Sequence, residues 1–406
     1  MAPRAQVTHV HWRQWTLFDV RCEKGHHVRD LVEIGMGRTA RRAYGLDDVE
    51  IVPSRRTRSS SVVSTAWQID AYRFDLPLVT HPTDAIVSPG TAVAIGELGG
   101  LGVLNAEGLW ARHGGVEEAI FRLVRAAEDS EDPTAVVREL QELHSAPIRL
   151  DLLSEAIKTV RESGVTVAAR VSPQHASELT PDLLAAGVEI LVVQGTIISA
   201  EHVQRDAEPL NLKEFIGRLD VPVIAGGVSD YRTAMHLMRT GAAGVIVGHG
   251  YTEGVTSTDR VLGIGVPMAT AIVDAAAARR DYLDETGGRY VHVLADGGIT
   301  TSGDIAKAIA CGADAVMLGA PLATASDAPG QGLYWTAAAA HPSLPRSRVV
   351  AGPDSDYAAD LKTLLFGPSS DAEGVVNLFG ALRRAMAKTG YSDLKEFQRV
   401  GLAVRG

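Results

Sequence analysis

The sequence predicts an α/β protein, a single (β/α)8 TIM barrel, and three observations predict it. From about residue 70 onward, short apolar runs ending in Gly or a polar residue alternate with longer segments of helical period. Eight such runs are present, and strands so continuously apolar are buried on both faces, as in a closed parallel sheet. Third, "VIAGGVSDYRTAMHLMRTGAAGVIVGHG" and "VLADGGITTSGDIAKAIACGADAVMLGAP" share one template, which places Gly227 with Gly298, Gly241 with Gly312 and Gly248 with Gly319 at a common offset.

In chain order, residues 1–32 mix Arg, Trp and His without helical or strand period and are expected to be a disordered N-terminal extension. The start lacks the Ser-rich amphipathic pattern of a transit peptide. His9, His11, His26 and His27 have no carboxylate or thiolate at ligand spacing, so no metal site is expected. Residues 33–406 then form the barrel domain. Its strands are expected at Leu76 to Thr80, Gly102 to Leu104, Thr166 to Val171, Glu189 to Val193, Pro222 to Ala225, Gly244 to Val247, His292 to Ala295 and Ala315 to Leu318. The crossover from Gly115 to Thr159 is long but helical in period, through "PTAVVRELQELHS" and "LDLLSEAIKTV". A span at about 321–350 lacks period and reads as an active-site flap or surface excursion. The helical segment "GVVNLFGALRRAMAKTGYSDLKEFQRV" closes the domain.

With 406 residues, 46% of them hydrophobic, the chain can bury a large core. A formal charge of −10 argues against nucleic acid as the partner, because counterion release needs a concentrated basic face. The basic run "SRRTRSSS" from Ser54 is read as a loop at a subunit edge. Cys22 and Cys311 lie far apart in unlike contexts, which fits a reducing compartment, by default the cytoplasm. No apolar stretch approaches the roughly 20 residues of a membrane span.

Residues that follow parallel barrel strands gather at one mouth, so they are the ones able to meet a ligand. "LADGGI" puts Asp296, Gly297 and Gly298 after one strand, and "VMLGA" puts Gly319 and Ala320 after the next. Neighbouring glycine-rich loops with a helix starting near Thr301 and Ser302 expose backbone N–H groups suited to phosphate. Asp296 is then expected to accept from ribose hydroxyls. The alternative is that these glycines only serve tight turns.

The motifs "LDDVEIVPSR", "GGLGVLN", "AGGVSDYRTAMHLMRTGAAGVIVG", "VLGIGVPMATAI", "LADGGI", "KAIACGADAVMLGAPLA", Pro329-Gly330 and "LFGALRRAMAKTGYSDLKEF" occur in this order over most of residues 33–402. Together they resemble the inosine monophosphate (IMP) dehydrogenase and GMP reductase superfamily. The chain is most similar to the IMP dehydrogenase-related subfamily without CBS domains, since the Gly115–Thr159 crossover is too short and too helical for a CBS pair. The resemblance implies a purine nucleoside monophosphate as ligand, with Asp296 on the ribose and Gly297, Gly298, Gly319 and Ala320 around the phosphate. It implies NAD beside Gln194, Gly227, Gly248 and Gly250, a monovalent cation at the catalytic loop, and a homotetramer. Family members carry Ser where Ala320 stands, Asp where Gln194 stands and Asn where Gly227 stands. Thr83 and Asp84 match the loop after the first strand, and His81 beside them is read either as packing or capping or as a site residue.

The family's nucleophilic cysteine falls on Thr256 when the loop is aligned backward from "LGIGVP", and on Val255 when aligned forward from Gly248. An alcohol needs an adjacent base to act; His249, Glu253 and Asp259 are the loop's titratable groups. The family's flap Arg-Tyr pair is represented by Arg346, with Arg348 near it and no Tyr. Two functions follow from the resemblance: NAD-dependent oxidation of IMP to XMP in GMP biosynthesis, or a catalytically silent purine-nucleotide-binding paralogue. GMP reductase is a weaker third, because it uses the same cysteine.

Overall fold

A computed structural model describes residues 31–406 except 131, 133, 196, 197, 199–209, 252–257, 341–347, 352–358, 370, 371 and 406. The chain divides into two compact units, Met1–Arg42 and Ala43–Gly406. In the first, β1 (Leu31–Gly35) and β2 (Arg38–Arg41) form an antiparallel hairpin around Gly37, whose φ of 73° suits a residue without a side chain. The boundary expected at residue 32 falls inside this hairpin.

The second unit holds the barrel. Short β4 (Trp67–Ile69) and β5 (Tyr72–Phe74) form a hairpin. The Trp67 indole N–H donates to the Leu76 carbonyl at 2.8 Å, just before the first barrel strand. Eight parallel strands follow: β6 (Leu78–Thr80), β7 (Val103–Asn105), β8 (Ala168–Val171), β9 (Ile190–Gln194), β10 (Val223–Val228), β11 (Gly244–Tyr251), β12 (His292–Gly297) and β13 (Ala315–Leu318). Each overlaps one of the eight expected runs. β13 pairs with β6, and the ring closes between β6 and β7 through a parallel bridge of Val79 with Leu101. That seam is held by Thr80 N donating to Leu101 O at 3.0 Å, Leu101 N to Leu78 O at 2.8 Å, and Val103 N to the Thr80 hydroxyl at 2.8 Å.

Five barrel strands run past their expected ends, and β10, β11 and β12 do so by two residues or more. Gly226 pairs with Ile246 and Val228 with Val247 across an irregularity, and Tyr251 pairs with Gly297 across another. Glycine is a turn former in sequence, but here it lets the ladder continue through a bulge. The loops at the mouth are correspondingly re-aimed.

The long crossover between β7 and β8 is helical as expected, with helices at Val116–Glu128, Ala135–Ser145 and Leu150–Glu162. Each has one buried apolar stripe, for example Val136, Val137, Leu140 and Leu143. The span expected as a flap begins as packed structure: Leu322, Ala323, Leu333, Tyr334 and Trp335 are buried. It is stapled to the loop after β6, where the Thr83 hydroxyl donates to Trp335 O at 2.6 Å and Gly330 N donates to Ala85 O at 2.8 Å. β14 (Leu333–Tyr334) pairs antiparallel with β15 (Val350–Ala351). Irregular backbone produces no period, yet its apolar side chains can still be buried one by one. At the C-terminus, helix Leu378–Lys388 leads to β16 (Leu402–Val404), which pairs with β3 (Val49–Ile51) near the start of the unit.

Beneath the barrel an ionic network ties these ends together. Asp314, just before β13 and fully buried, receives Arg279 Nη1 at 2.7 Å, the Tyr290 hydroxyl at 2.8 Å, Gln398 Nε2 at 3.1 Å and Lys395 Nζ. Lys395 and Gln398 belong to the C-terminal segment. Among the described residues, no helix is long and apolar enough to cross a membrane.

Candidate active site

β12 and β13 lie side by side with Asp296 in register with Met317, so Gly297 and Gly298 stand next to Gly319 and Ala320. The two strand ends singled out in the sequence therefore meet at one place on the mouth. Gly297 and Gly298 have φ of 117° and 66°, conformations that favour glycine. Among the described residues, a Cβ on Gly298 would come within 4 Å of Met268 Cγ alone, at 3.8 Å. A Cβ on Gly319 would fall 2.1 Å from the Tyr334 hydroxyl oxygen, so that phenol stands directly against the second glycine loop.

The helix that starts here, Ser302–Ala310, keeps most of its first amides for itself. Asp304 Oδ2 accepts from Thr300 N at 3.1 Å, Thr301 N at 3.0 Å and the two threonine hydroxyls, while Thr301 Oγ1 accepts from Asp304 N at 3.2 Å. Ser302 N donates to Gly374 O at 2.8 Å. A capping box of this kind satisfies the helix end internally. Of the two groups of donors the sequence suggested, the helix end thus has its Ser302 and Asp304 amides engaged within the protein.

Asp296 is 2% exposed, and its two oxygens are held separately. His81 Nδ1 lies 3.2 Å from Oδ1, and Gln194 Nε2 donates to Oδ2 at 2.9 Å. Of the two roles open to His81, the ring thus serves the site carboxylate. Gln194, at the end of β9, also approaches Met317 Sδ at 3.6 Å, and its carbonyl accepts from Arg170 Nη2 at 2.9 Å.

Arg170 continues this polar chain toward the rim. Its Nη1 lies 3.3 Å from Asn105 Oδ1 and 3.5 Å from Glu107 Oε1. Glu107 in turn accepts from Ser172 N and lies 3.0 Å from His175 Nδ1. Burial pushes the Glu107 carboxyl up, but Arg170, the Ser172 amide and His175 outweigh it and leave it below the usual range. Polar contacts therefore run from His175 on β8's loop through Glu107 and its ion partner Arg170 to the backbone carbonyl of Gln194, whose side chain reaches Asp296 and, beyond it, His81.

The positions matched to the cofactor are tightly packed. Gly227 N donates to Gly195 O at 3.1 Å, and a Cβ on Gly227 would fall 1.9 Å from Gly248 O and 2.8 Å from His249 Nδ1. A Cβ on Gly248 would fall 2.0 Å from Asp296 O. His249 Nε2 lies 2.9 Å from the Ser229 hydroxyl. Gly250 lies within β11. These glycines allow strand ends to approach one another, and the Gln194 amide is committed to Asp296. Gln194 Nε2 is thus held by Asp296, and neither Gly227 nor Gly248 has room for a side chain.

Thr256, Val255, Glu253 and Arg346 lie outside the described residues. Asp259 is exposed in the short helix Thr258–Leu262. Asp84 is buried, with Oδ2 3.6 Å from His144 Nε2. Among the described residues no group of three or more His, Cys, Asp or Glu side chains could hold a metal ion. Cys311 is buried, and burial raises its thiol to about 11, far from nucleophilic character. Sequence reasoning missed Tyr334, which sits in an aperiodic span that carries no signal. It also missed Arg170, whose signal was visible as a lone Arg inside an apolar run.

Comparison with known proteins places this geometry. The IMP dehydrogenase / GMP reductase domain matches residues 43–341. An uncharacterized oxidoreductase of Mycolicibacterium smegmatis is 66% identical over 92% of this chain and 100% of its own length. The inosine-5'-monophosphate dehydrogenase of Aquifex aeolicus is 34% identical over 55% of this chain and 46% of its own. A crystal structure of an IMP dehydrogenase/GMP reductase-like protein from Corynebacterium glutamicum superimposes with a TM-score of 0.87. The two share 58% identity over 93% of this chain and 98% of the other.

Proposed function

This chain belongs to the IMP dehydrogenase / GMP reductase family, whose members are oxidoreductases, and we propose that it binds a purine nucleoside monophosphate, IMP first, at its barrel mouth. The observation that carries this reading is the meeting of Asp296, Gly298 and Gly319 at adjacent strand ends. There a carboxylate can take ribose hydroxyls, and the glycine loops at Gly298 and Gly319 can take phosphate. Gly297 and Ala320 complete the two loops.

The reaction that goes with this site in the family is NAD-dependent oxidation of IMP to XMP in GMP biosynthesis. In that reading Thr256 takes the place of the family's cysteine, Arg346 serves the hydrolytic step, and the protein is a cytoplasmic homotetramer with a monovalent cation at its loop. A second reading, nucleotide binding without turnover, is favoured by the Gln194 amide on Asp296 and the close packing of Gly227 against Gly248, which fit NAD poorly. No step through NAD is derived from these residues.

Calorimetry with IMP, GMP and XMP tests the binding, with saturable heat expected for at least one. NADH absorbance in the presence of IMP and NAD then separates the two readings: turnover removes the silent one, and saturable binding without turnover removes the dehydrogenase.

A further inference from the structure

His81 is fixed at both ends. Its backbone N–H donates to Leu318 O at 2.7 Å, which holds the residue beside the end of β13 and Gly319. Its ring, 9% exposed, turns inward so that Nδ1 meets Asp296 Oδ1 at 3.2 Å. A carboxylate is an acceptor only, so the proton of this contact sits on Nδ1, and in the tautomer that carries its single proton there Nε2 is an acceptor. Among the described residues Nε2 has no hydrogen-bond partner.

The carboxylate beside it is already engaged on both oxygens, by His81 on Oδ1 and by Gln194 on Oδ2. A ribose cis-diol arriving at this corner brings two O–H donors. One acceptor partly engaged on each oxygen serves them less well than that acceptor together with a second, and the imidazole is fixed beside it at no further ordering cost.

We propose that His81 is a second ribose-reading group, its Nε2 accepting one hydroxyl of the cis-diol while Asp296 accepts the other. This rests on the purine-nucleotide reading above and assigns the ribose specificity of that site to an imidazole as well as a carboxylate. Sites that hydrogen-bond a ligand hydroxyl reject analogues lacking it, because the buried partner is left unsatisfied.

The test is calorimetry on the full-length protein with IMP, 2′-deoxy-IMP and 3′-deoxy-IMP, for the natural chain, His81→Asn and His81→Ala. Asn carries an amide donor near the position of Nδ1 and so still holds Asp296, but it has nothing at Nε2. The natural chain is expected to prefer IMP over each deoxy analogue by about tenfold or more. His81→Asn and His81→Ala are expected to weaken IMP about tenfold and to abolish the preference at one hydroxyl only. Should IMP bind the natural chain while either folded variant keeps both preferences, His81 is only a structural partner of Asp296 and the proposal fails. If the natural chain binds no purine mononucleotide at all, the proposed function fails instead.

Discussion

The Gln194 side-chain amide donates to Asp296 Oδ2 at 2.9 Å, joining the end of β9 to the end of β12 across the barrel mouth. A buried carboxylate with a hydrogen-bond donor on each oxygen is fixed in orientation before any ligand arrives. Replacing Gln194 with Leu removes that donor from a buried charged acceptor. The expected result is a loss of about 1.5–3 kcal/mol in folding stability, read by denaturant unfolding, together with weaker IMP binding by calorimetry. Unchanged values in both measurements would show that the Gln194 contact contributes nothing.

Removing one partner from the buried Asp314 network is expected to cost more. In Arg279→Met the carboxylate keeps Lys395 and Tyr290 but loses its most buried cation. A loss of about 3–5 kcal/mol is expected, because a buried charge is left undercompensated. The exposed pair Arg239–Glu285 is the control, expected to cost under about 1 kcal/mol on Arg239→Met. Equal losses in the two variants would contradict the role given to burial.

Acid should unfold the protein from the same region. Burial is the main cause that brings the His292 imidazole down from 6.5 to about 4, against the opposing pull of Asp314. Below 6.5 the unfolded chain takes up the proton that the folded chain refuses, so stability is complete above that pH and falls toward pH 4. The loss amounts to about 3 kcal/mol at most. Burial would raise the Asp314 carboxyl, but Arg279 and Lys395 outweigh it and hold it well below the carboxylate range. Its contribution is lost only at still lower pH. Melting temperature followed from pH 7 to 4.5 should decline, and His292→Gln should flatten that decline.

The two mouth glycines should respond to a methyl group to different degrees. Gly227→Ala drives Cβ against the Gly248 carbonyl, backbone that cannot step aside, and should cost about 3 kcal/mol or more or prevent folding. Among the described residues Gly298→Ala meets only Met268, at 3.8 Å, and it carries the strain of φ +66°, about 1 kcal/mol, while adding bulk to the loop. Soluble expression and unfolding free energy separate the two, and Gly298→Ala should weaken nucleotide binding despite folding well.

Thr256→Cys tests the loop chemistry. If the loop holds its nucleotide in reactive register, the added thiol should create or raise NADH formation from IMP and NAD, because a thiol is partly ionised near neutral pH and an alcohol is not. No change in rate, with IMP still bound, would separate this site from the family's reaction.

All eight barrel strands were legible because strands buried on both faces must be apolar whatever lies around them. The pairing of the "LADGGI" and "VMLGA" loops followed from strand order alone, since consecutive parallel strands end on the same side. The destination of individual polar groups was not legible. No pattern in the sequence shows that His81 and Gln194 hold Asp296 or that Asp304 caps the helix at Ser302. Gly226, Gly248 and Gly297, which in sequence follow the expected strands, lie within them in the fold.

By itself the sequence determined the (β/α)8 barrel, the crossover helices and the strand ends that carry the site, because hydrophobic periodicity is set locally and every strand obeys it. Only the tertiary structure decided that His81 and Gln194 hold Asp296, that Arg170 links Gln194 to Glu107, and that Tyr334 stands against Gly319. Hydrogen bonds between residues as far apart as 81 and 296 depend on ring closure and on side-chain direction, and no local pattern in the chain encodes either one.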